Sequence, residues 1–389
     1  MTYNFDQVID RYGTDSVKFD GAVQRGKPAG ILPLWIADMD FPAPPCVLEA
    51  LSDRVRHGIF GYAEPSVSYY EVLDSWFNRR FEYAFDPSWL VLTPGVVYAI
   101  CTALHAYTNP GDGVLIQEPV YHPFRQTVEK NGRKLVVNEL LFDGTSYTID
   151  FADFERQIAD NDVKLFLLCS PHNPIGRVWR AEELRELVRI CAKHDCLILA
   201  DEVHCDFVFS PHRHHMLPVL MPDEMDRMIL CTAPSKTFNL AGLQISNVFI
   251  SNDSLRLAFK QVLSKSGFSN ANGLGLVACE AAYTGGAPWL EALIAYLWGN
   301  MQHIKHFLQV HLPEVQLVAP EGTYLAWLDA RDLGLDPAEL DHRLLYEAGV
   351  WLSPGHSFGQ SGAGFLRVNT ACPRATLDDC LNRIKQVFA

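Results

Sequence analysis

Three short apolar runs each end in polar residues that could do chemistry. The run MILC at 228–231 leads through a proline into Ser235 and Lys236. KLFLLC at 164–169 leads into Ser170, Pro171, His172 and Asn173, and CLILA at 196–200 leads into Asp201, Glu202, Val203 and His204. Long cations are seldom fully buried without a partner. Lys236 therefore either packs its stem and sends its head to water, or holds a carbonyl cofactor as a Schiff base. Asp201 caps a turn or helix, or it ends its strand in the same layer as an amide and a lysine and serves a site. Arg367 lies inside the apolar stretch FLRVNTACP. It needs a partner if buried, either in a structural ion pair or with a bound carboxylate that matches its fork.

The elements that position these residues follow from hydrophobic pattern. The three runs lack polar alternation, which suits strands buried on both faces of a mainly parallel sheet. Between the first two, Leu184, Leu187, Val188 and Cys191 repeat at helical spacing, so this is a βαβ unit with a right-handed crossover. Ligands of open α/β sheets bind beyond the carboxyl ends of the strands. Asn173, Asp201, His204 and Lys236 should thus converge on one crevice. A further strand near 89–93 runs through Pro94 and Gly95 into a helix beginning at Val96 and Val97. That layout aims free backbone N–H groups at an anion.

Residues 1–45 read as an arm, whose proline-rich part (ILPLWIADMDFPAPP, 31–45) stays extended and either packs over a core or lines a pocket with its backbone near Ile36 and Ala37. In the next helix, 46–57, the pattern sets Val47, Leu48, Leu51 and Val55 on one face. Tyr62 sits on the turn GIFGYAEP. Residues 46–287 form a large domain. A long amphipathic helix at 288–312 opens a small domain, 288–389, with strands near 315–318, 324–328, 350–352 and 365–368. The histidines of SPHRHHMLP, His212, His214 and His215, read as a solvated loop rather than a metal site, because no cysteines or paired carboxylates accompany them.

Composition narrows the class. The chain has 389 residues, 48% hydrophobic and 20% charged, with a formal net charge of −14. Such a chain has no electrostatic reason to bind nucleic acid or anionic lipid. Ten cysteines follow no framework and include no CxxC pair, and no apolar run approaches a membrane span. The expected setting is a reduced cytoplasm, with no metal.

The segments NPGDGVLIQEPVYHPF, SPHNPIG, ADEVH, PSKTFNLAGL and FLRVNTACPR, in this order over nearly the whole chain, resemble the fold-type I pyridoxal-phosphate (PLP) enzymes of the class I/II aminotransferase superfamily. Two features resemble its MalY/PatB-type C–S lyases, often called cystathionine β-lyases. One is the N-terminal PLWIADMDFPAPP; the other is His204, where typical aminotransferases carry tyrosine. The resemblance implies a mainly parallel central sheet with helices on both faces, plus a smaller α+β domain. It implies that Lys236 is the Schiff-base lysine and catalytic base. Asp201 would pair with the pyridine nitrogen and Tyr121 would stack on the ring. Asn173, with His204, would reach the phenolic oxygen. Gly95, Val96 and Val97 would cradle the phosphate through backbone N–H groups, with Thr232 and Ser235. Tyr62 would reach the neighbouring subunit's site, making a homodimer. Arg367 would clamp the substrate carboxylate beside Ile36 and Ala37. The implied reaction is β-elimination from L-cystathionine or related cysteine S-conjugates, giving thiol, pyruvate and ammonia. An aminotransferase on the same scaffold, and a PLP-binding regulator acting through a protein partner, are the alternatives. Two positions depart from the aminotransferase pattern: Gln244 replaces an arginine and Ala233 replaces a serine.

Overall fold

The computed structural model describes residues 3–389. Seven strands build the main sheet: β1 (Leu90–Thr93), β2 (Gly113–Glu118), β3 (Lys134–Glu139), β4 (Val163–Cys169), β5 (Leu197–Asp201), β6 (Met228–Thr232) and β7 (Ser246–Phe249). Their spatial order is β1-β7-β6-β5-β4-β2-β3. All neighbours are parallel except β7, which runs against both β1 and β6. The three apolar runs are the central strands β4, β5 and β6, and they lie between two separate hydrophobic cores. Sheet faces covered on both sides explain why these strands show no alternation.

Register matters most for function. Cys169 pairs with Asp201, and Asp201 with Cys231. The three strands therefore end level, and whatever follows each one emerges at the same height.

Strand β7 escapes pattern reading because its sequence begins with buried polar residues. Ser246 is satisfied by Thr93, Oγ to Oγ at 2.6 Å, and the Asn247 amide oxygen accepts from the Tyr69 hydroxyl at 2.7 Å. Partners supplied by distant segments make polar residues tolerable in a core strand.

A second sheet holds β8 (Gln316–Leu317), β9 (Leu325–Asp329), β10 (Ser353–Pro354) and β11 (Phe365–Asn369), in the order β8-β9-β11-β10. Its register sets Arg367 opposite both Trp327 and Ser353. The long helix spans Ala287–His311, as the periodicity requires. The arm crosses to this region: Leu32 and Pro33 pair with Val350 and Trp351, and the Trp35 and Trp351 rings stack at 4.2 Å. Lys18, fully buried, holds Asp40 at 2.9 Å, while Arg11 reaches both Asp38 and Asp40 at 2.7 Å. This ionic cluster ties the start of the arm to the segment that borders the crevice.

On the helix Pro45–His57, Val47 is buried in the core and Leu51 packs against it, while Leu48 and Val55 are 47% and 57% exposed. One expectation is corrected. The histidine loop is not simply solvated. His214 is buried and its Nε2 lies 2.7 Å from the buried Glu202 carboxylate, with the Phe81 ring edge-on beside it. Removing one member of such a pair strands the other. His214→Ala is expected to cost about 3 kcal/mol of stability, read as a lowered urea midpoint with an unchanged slope.

Candidate active site

Lys236 lies in the single helical turn Pro234–Thr237 that directly follows β6. Its Nζ donates to the Ala37 carbonyl at 2.6 Å. Burial lowers its pKa to about 8, Arg367 adds to the shift, and Asp38 and Asp201 oppose it. A lysine lowered in this way has a larger share of neutral amine near physiological pH than a free lysine, which favours a general base or nucleophile. The next residue anchors the turn. Thr237 Oγ1 donates to the buried Asp206 carboxylate at 2.9 Å, and Asp206 is paired with Arg80 at 2.9 Å.

Asp201 ends β5 and is buried. Burial raises its pKa to about 7, against the Val203 N–H, which donates to it at 3.2 Å, and the nearby Lys236. His204 is also buried, and burial holds its ring neutral; its Nδ1 has no partner among the described residues. Tyr121 donates its backbone N–H to the Asn173 carbonyl at 2.9 Å.

Arg367 is 3% exposed. It donates to Asn173 Oδ1 at 2.9 Å, to the Trp35 carbonyl at 2.6 Å and to Ser353 Oγ at 3.2 Å, and it lies over the Phe358 ring at 4.8 Å. Burial pulls its pKa down to about 10. Every one of these contacts is neutral. A structural ion pair would have placed a carboxylate here. A buried guanidinium held in position by neutral groups is instead prepared for an external anion.

The arm closes this end of the crevice with its backbone. Asn369 donates to the Ile36 carbonyl at 2.7 Å, and Ala37 accepts from Lys236 and from Tyr324. On the opposite side, Gly95 caps the helix Val96–Tyr107 with no side-chain hydrogen bond, and a Cβ there would meet nothing within 4 Å. Thr232 Oγ1 is buried and has no partner among the described residues, and Ser235 is half-buried. Tyr62 does not join the crevice within this chain. It is 96% exposed and lines an open cleft with Pro94 and Gln244. Sequence reading missed Tyr324, Asn369 and Asp206, because only the folded register brings them to Lys236 and the arm.

The sequence profile of the family described as aminotransferase class I and II matches residues 29–384. The chain belongs to that family. It is 43% identical over 386 residues to cystathionine beta-lyase PatB of Bacillus subtilis, covering 99% of this chain and 100% of the relative. It is 35% identical to protein MalY of Escherichia coli, over 97% and 96% of the two chains. The PLP-bound C–S lyase from Staphylococcus hominis superposes with a TM-score of 0.93 at 34% identity, covering 100% of this chain and 99% of that one. The MalY/PatB resemblance and the fold-type I architecture thus hold for this aminotransferase-family chain. Among its described residues no helix is long and apolar enough to cross a membrane.

Proposed function

We propose that the chain is a PLP-dependent carbon–sulfur β-lyase that cleaves L-cystathionine or related cysteine S-conjugates to thiol, pyruvate and ammonia. The donor set fits the cofactor. Asp201 is a buried carboxyl able to face a ring nitrogen, Thr232 Oγ1 is an orphaned hydroxyl, and free N–H groups at Val96 and Val97 adjoin open space at Gly95. A phosphate beside a helix N-terminus needs no arginine, which accommodates Gln244 and Ala233. Asn173, His204, Tyr121 and Ser235 complete the shell in this reading. When bound, PLP withdraws the electrons released at the substrate Cα.

The observation that carries the substrate class is the buried Arg367 with only neutral partners, since it matches an α-carboxylate. Lys236 would then take the Cα proton; the electron pair left at Cα forms a Cα–Cβ double bond as the Cβ–S bond breaks, the thiolate takes up a proton, and water hydrolyses the released 2-aminoacrylate to pyruvate and ammonia. Asp201 holds a proton at the ring nitrogen. Replacing Arg367 by lysine removes the fork but keeps the charge. It is expected to lower kcat/KM by roughly 10- to 100-fold, mostly through KM, with cofactor content unchanged.

We also propose a homodimer in which Tyr62 reaches the neighbouring site. The exposed apolar residues Leu48, Val55, Ile59, Phe60 and Val67 flank it and would be covered by a second copy. The proposed division is an arm, 1–45, a large domain, 46–287, and a small domain, 288–389. Ten free cysteines fit a reducing cytoplasm.

The deciding experiment mixes purified protein with L-cystathionine and follows the visible cofactor band, pyruvate and free thiol together. Equal amounts of pyruvate and thiol, without an added 2-oxo acid, are expected. Turnover that strictly requires a 2-oxo acid would replace the lyase by an aminotransferase.

A further inference from the structure

The Ala37 carbonyl accepts two hydrogen bonds, from Lys236 Nζ at 2.6 Å and from the Tyr324 hydroxyl at 3.0 Å. Tyr324 is fully buried, and burial keeps its phenol protonated far beyond the usual range, so it remains a donor. Its placement is costly. The preceding Thr323 is β-branched yet sits at φ +64°, where such residues are outliers that persist mainly at functional sites. The backbone just before it is tightly packed, because a Cβ at Gly322 would approach the Phe207 carbonyl at 2.6 Å and Val178 at 2.8 Å. Thr370 pins the Tyr324 carbonyl through both its N–H and its hydroxyl, each at 2.9 Å. The Tyr324 ring lies edge-on to His204 at 5.6 Å and to Phe207 at 5.0 Å.

We propose that Tyr324 is a positioning residue for Lys236, holding the arm carbonyl in place while occupying one of its two acceptor directions. The inference rests on Lys236 being the cofactor lysine. A carbonyl that already accepts one hydrogen bond is a weaker acceptor for a second, and a weaker grip on the ammonium favours the neutral amine. Charged groups facing Lys236 are Arg367, Asp38 and Asp201; Tyr324 faces Asp38, Arg367, Tyr121 and His204. None of them changes in Tyr324→Phe, which keeps the ring and removes only the donor.

The test has two readouts. In cofactor-free protein, acylation of Lys236 is followed against pH by peptide mass spectrometry. The Y324F midpoint is expected to rise by about half a pH unit or more. In the loaded enzyme kcat is expected to fall about tenfold, with KM and cofactor stoichiometry close to wild type. A midpoint and kcat equal to wild type overturn the inference. If Y324F does not fold, 4-fluorophenylalanine installed at position 324, which fills the space of the hydroxyl but cannot donate, must show the same upward midpoint; an unmoved midpoint overturns the proposal. Borohydride trapping of the cofactor at a residue other than Lys236 in the wild type would remove the underlying reading and the inference together.

Discussion

Lys236→Ala is expected to abolish β-elimination, with a loss of roughly 10²- to 10⁴-fold or more from removing the positioned base alone. Borohydride should also no longer fix cofactor to the protein. The fold should survive, because the Ala37 carbonyl keeps its second donor in Tyr324, and Thr237 keeps Asp206. Circular dichroism and the oligomeric state should therefore match wild type while pyruvate release disappears. Pyruvate release near the wild-type rate would end the assignment. The same variant tests the alternative of a regulator: a cellular effect that persists without any turnover would place the chain's role in a protein partner.

Asp201→Asn is expected to act in opposite directions on activity and on stability. An amide cannot hold a proton at the ring nitrogen, so kcat/KM should fall by roughly 10²- to 10³-fold, the scale of losing one preorganised electrostatic partner. The cofactor-free protein responds otherwise. The folded carboxyl titrates at about 7 because it is buried, against about 3.9 in an unfolded chain. Below the unfolded value both states bind the proton and burial carries no charge penalty. As pH rises toward the folded value, the unfolded state loses its proton first, and the wild type loses stability. Asparagine has no such dependence. Cofactor-free Asp201→Asn should thus gain on wild type between about pH 4 and about pH 7, by a few kcal/mol at most, and the gap should then level off. Denaturant melts of both proteins at about pH 5 and about pH 7.5 measure it directly. A gap that narrows with rising pH would show that the carboxyl is stabilised as the anion in the folded state. A site kept costly for the sake of its ligand is the usual trade between stability and function.

Much of this was readable from residue order. The apolar runs that became β4, β5 and β6 are recognisable because strands covered on both faces need no polar residues. Asn173, Asp201, His204 and Lys236 could be assigned to one crevice because parallel strands deliver their C-terminal residues to one edge. The helix after Gly95 and the long helix of 287–311 followed from periodicity alone. The exposure of Leu48 and Val55 on Pro45–His57 did not, since a pattern reports that a face is apolar and not what covers it.

What only the tertiary structure decided are contacts between segments hundreds of residues apart. Arg367 could have been an ion-pair residue or an anion clamp; only the structure gives its partners, Asn173, Trp35 and Ser353, all neutral and drawn from the residues after β4, the arm and the second sheet. Ser246 and Asn247 entered a buried strand only because Thr93 and Tyr69 satisfy them. Tyr324 reads as an ordinary aromatic residue at the start of a strand until the arm carbonyl at Ala37 is seen between it and Lys236. Local sequence determined which residues were polar at strand ends and which faces were apolar, because those depend on backbone periodicity. Which polar atoms would meet was decided by long-range register and by burial, where each unsatisfied group must find its partner wherever the chain can bring one.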